Sequence, residues 1–270
     1  MILLHYIHLL RAEFKLVYGE MLRRKASLLT LIMYPYLFTG FVLFVGYSVG
    51  QPSYFEQRVG VNPLLFMMTS SYILMALLAV VDDILWRPLS DNWIGTLQYI
   101  IASPVNKTTL FLAIPIPRLV ALLVLGLTSL VPVFTYYLGI EGLVYSASII
   151  LLTGVGALAM STMALVIAGI IHSYASSWRT LNIVRPILLV LIGAYYPRAF
   201  MPMIARAVSY LVPASYTVEY IQLLLTRVMG PGSSILLLAM AMVSTVYLIY
   251  GKRVVKMWET RLSKHGGKAQ

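Results

Sequence analysis

Of the 270 residues, 60% are hydrophobic and only 11% are charged, against about 45–50% and about 25% in an ordinary soluble domain, so bulk water is not the main solvent. Cysteine is absent, which excludes disulfides and thiolate metal sites and leaves the redox compartment open. The net charge of +11 would suit a nucleic acid, but its placement along the chain points to membrane topology and anionic lipid instead.

Backbone in lipid must satisfy its own hydrogen bonds, and the continuous apolar runs here, without period-two alternation, predict helices of about 20 residues. Residues 1–26 predict an interfacial amphipathic helix, with Leu3, Tyr6, Ile7, Leu10, Phe14, Val17 and Met21 on one stripe. No small-residue cleavage site follows MILLHYIHLL, so no removable signal peptide is expected. The basic cluster Arg23, Arg24 and Lys25 abuts a first span at about 27–49. A polar loop with Gln51, Pro52, Glu56 and Arg58 leads to a second span at 63–81, ended by Asp82 and Asp83.

A short amphipathic helix at 91–102 is expected next, outside the membrane. Ser90 or Asp91 caps it, Trp93, Ile94, Leu97, Ile100 and Ile101 share one face, and Pro104 ends it. Gly95 would admit the close approach of another surface. Arg118 opens a third span at 119–138, Pro115 and Pro117 arguing against an earlier start. Pro132 is expected to kink that span where a neighbouring helix covers the freed carbonyl. The fourth span, 146–171, carries Gly154, Gly156, Ala157, Ala159 and Ser161, which permit close helix packing.

The fifth span, 181–196, is short, interrupted by Arg185 and Pro186 and stopped by Pro197 and Arg198. The stretch 199–230 is apolar but broken by Pro202, Arg206, Pro213 and Glu219, which predicts two short re-entrant helices in the outer leaflet. A sixth span at 233–250 precedes a tail with Lys252, Arg253, Lys256, Arg261, Lys264 and Lys268.

With these assignments Arg11, Lys15, Arg23, Arg24, Lys25, Arg87, Lys107, Arg118, Arg179, Arg185 and the tail fall on one side. Only Arg58, Arg198, Arg206 and Arg227 lie opposite. Positive charge is retained in the cytoplasm, so both termini are expected there and the spans number six. The expected fold is a single all-α transmembrane domain, with no soluble domain, linker or internal repeat.

Gly95, Thr96, Leu97, Gln98 and Tyr99, then Ala102, Ser103, Pro104 and Val105, resemble the "GTLEyLlaSPv" element of type-2 ABC transporter permeases. Arg24 to Gly46 is similar to that family's first-span region. Gly193, Ala194, Tyr195, Tyr196 and Pro197, with Pro202 and then Pro213, Ala214, Ser215 and Tyr216, resemble its "sGvyfP…lP…lPltY" stretch. The resemblance implies a permease subunit of an ATP-driven exporter in the plasma membrane, pairing with a second permease copy, identical or related, and with cytoplasmic ABC ATPase subunits. It implies no cofactor and no catalysis in this chain, ATP and Mg being held by the partner. By resemblance Asp91, Trp93, Gly95, Thr96, Leu97, Gln98 and Ile101 belong to a coupling helix docked on the ATPase. Tyr195, Tyr196, Pro197, Pro213, Tyr216 and Glu219 would belong to the gate or translocation path. Gln98 stands where the family usually has Glu, and Pro117 and Arg118 stand where it often has Gly-Lys.

Two other readings remain open on residues alone. Asp82, Asp83 and Asp91 would suit a membrane-embedded lipid-diphosphate transferase, although such chemistry generally wants more acidic ligands. An ion-coupled secondary transporter would be expected to show inverted repeats and midplane charges. Arg118 and Arg185, near helix ends, are expected to snorkel to headgroups, and Tyr195 and Tyr196 also read as belt anchors, the usual role of tyrosines at an interface. Glu219 matters if it is buried. No G-x-x-x-x-G-K-[ST] phosphate loop occurs.

Overall fold

The computed structural model describes residues 2–49, 56–57, 59–174 and 177–264. Gln51, Pro52, Arg58 and Lys268 lie outside the described residues. Helix makes up 87% of the structure, with no strand among the described residues.

Helix α1 (Ile2–Arg23) passes into α2 (Lys25–Val49) at Arg24. The next helix, α3 (Pro63–Ile94), starts where Asn62 accepts a hydrogen bond from the Leu64 N–H at 2.9 Å. Pro63 fits there because a first-turn residue has no intrahelical use for an N–H. The helix itself does not stop with the expected span at Asp82 and Asp83 but runs 32 residues to Ile94, about 48 Å.

Then come α4 (Leu97–Ala102), α5 (Lys107–Ala113) and α6 (Ile116–Leu138). The α6 boundary lies ahead of the expected Leu119, because Pro117 sits in the first turn, where proline is tolerated. After α7 (Glu141–Tyr174) and α8 (Ser177–Ile192), a 3-10 turn (Arg198–Phe200) leads to α9 (Met203–Ser209), α10 (Pro213–Leu225) and α11 (Ser234–Lys264).

Five segments among the described residues are long and apolar enough to cross a membrane: Leu28–Ser48, Pro63–Ile94, Lys107–Leu138, Glu141–Ser173 and Ser234–Ser263. The chain is thus compatible with a multi-pass membrane protein. The expected span at 181–196 is not among them. Its helix, α8, has 16 residues, about 24 Å, and Gly193, at φ +73, ends it, so a crossing here would include the non-helical residues 193–197 as well.

The core lies along α3, whose most apolar stretch is 83% buried, whereas those of α2 and α11 are 11% buried and form the periphery. Helix α7 packs against α3, α6, α10 and α11. Its small residues are where neighbours approach: a Cβ on Gly156 would meet Thr217 of α10 at 3.1 Å. Pro132 cannot bond the Thr128 carbonyl four residues back, and Tyr36 of α2 donates its hydroxyl to that carbonyl at 2.7 Å. A neighbouring helix thus covers the backbone that proline frees.

Candidate functional site

The end of α3 shows how a turn is built where a long apolar stretch stops. Gly95 adopts φ +82, the left-handed region open to glycine, and ends the helix. Its N–H bonds to the Asn92 carbonyl at 3.2 Å, and that of Thr96 bonds to the Asp91 carbonyl at 2.9 Å. The single helix expected at 91–102 is therefore two pieces: Asp91 and Trp93 belong to the last turn of α3, and only Leu97 onward forms α4. Asp91 is no N-cap. Its buried carboxylate accepts from Arg87 Nε at 2.9 Å and from Thr96 Oγ1 at 3.1 Å, while Arg87 Nη1 reaches Glu13 of α1 at 3.2 Å.

The shared apolar face also resolves into two. Leu97 is 4% exposed, whereas Trp93 is 67% and Tyr99 is 78% exposed, with Ile94 and Gln98 turned outward as well. Ile101 is half-buried. Leu97 anchors the turn; Trp93, Ile94 and Tyr99 offer large apolar side chains that are mostly exposed.

Lys107, which sequence reasoning counted only as one more basic residue, closes the other end of α4. Though 2% exposed, its Nζ donates to the Ser103 carbonyl at 2.6 Å and the Val105 carbonyl at 2.9 Å, and lies 3.7 Å from Glu259 of α11. Ser103 is extended, at φ −69 and ψ 146, as the residue before a proline must be. Trp258 of α11 stacks edge-on against Phe111 of α5, with centroids 5.5 Å apart. The C-terminal length of α11 thereby braces the turn.

Asp83 meets Arg118 of α6 at 2.7 Å and Asp82 meets Arg185 of α8 at 3.5 Å. Each arginine therefore has a carboxylate partner that the expectation of snorkelling to headgroups did not include. Asp82, Asp83 and Asp91 thus each face a different arginine. Among the described residues no group of three or more His, Asp or Glu side chains comes together to hold a metal ion.

The second set of expected residues divides as well. Arg198, 5% exposed, approaches Glu219 of α10 at 2.8 Å, a contact close in distance but not aligned as a hydrogen bond. The guanidinium also donates to Ser215 Oγ and lies over the Tyr210 and Tyr216 rings, 4.4 and 4.6 Å from their centroids, within cation–π range. Tyr216 donates to the Tyr210 carbonyl at 2.9 Å. Burial raises the Tyr216 phenol above its ordinary pKa, while Arg198 opposes that shift. Pro213 is buried at the start of α10. Tyr216 and Glu219 therefore meet around an arginine that sequence reasoning read only as a stop.

Tyr195 turns elsewhere. Its hydroxyl is 3.1 Å from Ser71 Oγ and its ring stacks on Phe38 at 5.6 Å, so it packs between α2 and α3 rather than serving as an exposed interface anchor. Tyr196 is half-buried and Pro197 leads into the 3-10 turn. The irregular backbone between α8 and that turn is satisfied by side chains. Gln222 Nε2 donates to the Gly193 carbonyl at 2.9 Å and Ser70 Oγ donates to the Ala194 carbonyl. Buried non-helical backbone requires such partners. A lone Gln in an apolar helix was the one available signal for this.

No family model, curated protein or solved structure matches the chain. One turn is stiffened by buried charges and shows apolar side chains outward; elsewhere an arginine caged by two tyrosines, a serine and a glutamate joins the segments before and after α9.

Proposed function

We propose that this chain is the membrane-spanning permease subunit of an ATP-driven exporter. It works with a second permease copy and with cytoplasmic ABC ATPase subunits that hold ATP and Mg. The observation that carries the reading is the α3–α4 turn. Trp93, Ile94 and Tyr99 are exposed on a turn that Leu97, Asp91 and Lys107 fix from beneath. Exposed aromatic and aliphatic side chains are what a protein groove takes up, and the ion pairs from this turn to α1 and α11 give a displacement somewhere to go. In this reading ATPase closure shifts α4, the helices behind it follow, and the Arg198–Glu219 cluster belongs to the outward gate. The order and spacing of the GTLQY…ASPV element support it in sequence. Gln98, in place of an acid, offers its carboxamide as donor and acceptor.

The basic residues near this turn support a cytoplasmic position for it in this reading, with the chain in the plasma membrane. A transferase using Asp82, Asp83 and Asp91 has less support, because each carboxylate already faces its own arginine.

The test is affinity purification of the chain in mild detergent from its own cells, with ATP hydrolysis measured in the eluate. Wild type is expected to bring an ATPase subunit and its activity. Trp93→Asp and Tyr99→Asp, both at exposed positions, are expected to lose the partner while melting at the wild-type temperature. An unchanged eluate from both variants, or one without ATPase from the wild type, refutes the reading. Leu97 is unsuitable for this test because it is buried.

A further inference from the structure

Helices α7 and α11 lie close together at one level, where a Cβ on Gly169 would meet Val254 Cγ1 at 2.6 Å. Beside that contact they part into an open apolar groove of about 480 Å³, with Val166 and Ile170 of α7 on one side and Met242, Val246 and Tyr250 of α11 on the other. Leu211, from the turn between α9 and α10, also lines it. Along α11 the lining runs from Met242 to Val254, about 18 Å at 1.5 Å per residue. Half of a hydrocarbon core of about 30 Å is about 15 Å. The groove is therefore one leaflet long.

Its rim is charged. Arg253 lies three residues beyond Tyr250 and seven beyond Val246, which puts it on the same side of α11. Arg253 is exposed and has no hydrogen-bond or ion-pair partner among the described residues, and the exposed Lys252 and Lys256 flank it.

We propose that this groove is a binding site for an anionic phospholipid, with one acyl chain along α11 and the phosphate held by Arg253. The inference rests on the membrane reading above, though not on the exporter reading. A basic residue at the end of an apolar groove selects for headgroup charge, while the groove wall selects for a single chain.

Native mass spectrometry of the purified full chain, incubated with phosphatidylglycerol or phosphatidylcholine, tests it. One phosphatidylglycerol is expected to be retained, at least fivefold over phosphatidylcholine. Arg253→Gln is expected to lower retention about fivefold, the factor one basic residue contributes at an anionic surface, and Arg253→Lys to restore it. Val246→Trp, filling the groove from a half-exposed position, is expected to lower retention similarly. Equal retention of both lipids overturns the proposal, as does Arg253→Gln without effect. So does Val246→Trp that leaves lipid unchanged but abolishes self-association, which would give the groove to a second copy. Release of the chain from membranes by alkaline carbonate would overturn membrane embedding itself, and the site with it. A chain that stays in the membrane but shows no lipid preference overturns the site alone.

Discussion

Lys107 and Arg198 carry much of what is specific to this molecule, Lys107 through nearby carbonyls and Arg198 through side chains 12 to 21 residues away in sequence. Lys107 Nζ holds the Ser103 and Val105 carbonyls inside the structure. Lys107→Met keeps the apolar stem and removes the ammonium, stranding polar groups at a cost of about 1–3 kcal/mol each. A lower melting temperature by circular dichroism is expected, together with faster amide hydrogen exchange across 97–106. Glu259→Gln is expected to change both little, since its contact is long, at 3.7 Å, and Glu259 is half-exposed. Glu219 was legible as a residue that matters if buried. Its partner was not, because Arg198 shows its role only once Tyr210, Ser215 and Tyr216 surround it.

At the scale of elements, proline and glycine explain most boundaries. Pro132 removes a donor inside α6, and Tyr36 replaces it on the Thr128 carbonyl. Tyr36→Phe is therefore expected to cost about 0.6–2 kcal/mol, the range for a hydrogen bond between membrane helices. Pro132→Ala restores the N–H that bonds Thr128, so in that background Tyr36→Phe is expected to be nearly silent. A double-mutant cycle of thermal unfolding reads the difference, and additive effects of the two changes would refute the coupling. Gly95 splits the expected 91–102 helix for a reason visible in its sequence position, since a left-handed residue ends a helix. That Asp83 and Asp82 meet Arg118 and Arg185 was not visible, because those arginines arrive from helices later in the chain.

For the whole molecule, the arrangement of long apolar helices makes orientation the quantity to measure. Because the chain contains no cysteine, single reporters introduce no background. The proposed topology places the α6–α7 turn outside and the end of α11 inside. A membrane-impermeant maleimide is expected to label Ile140→Cys, at an exposed position, in intact cells, and to label Ser263→Cys only after the cells are opened. The reverse pattern would invert the bundle and remove the α3–α4 turn from any cytoplasmic partner.

Composition and the length of the apolar runs determined by themselves that the chain is helical and built from long apolar helices, because backbone withdrawn from water must bond to itself. Glycine and proline positions marked where several of those helices stop, since their backbone limits are local. Only the tertiary structure decided that Leu97 turns inward while Trp93 and Tyr99 turn outward, and which arginine meets which carboxylate. A period of 3.6 residues puts side chains on a face; what that face meets depends on helices distant in sequence that pack beside it.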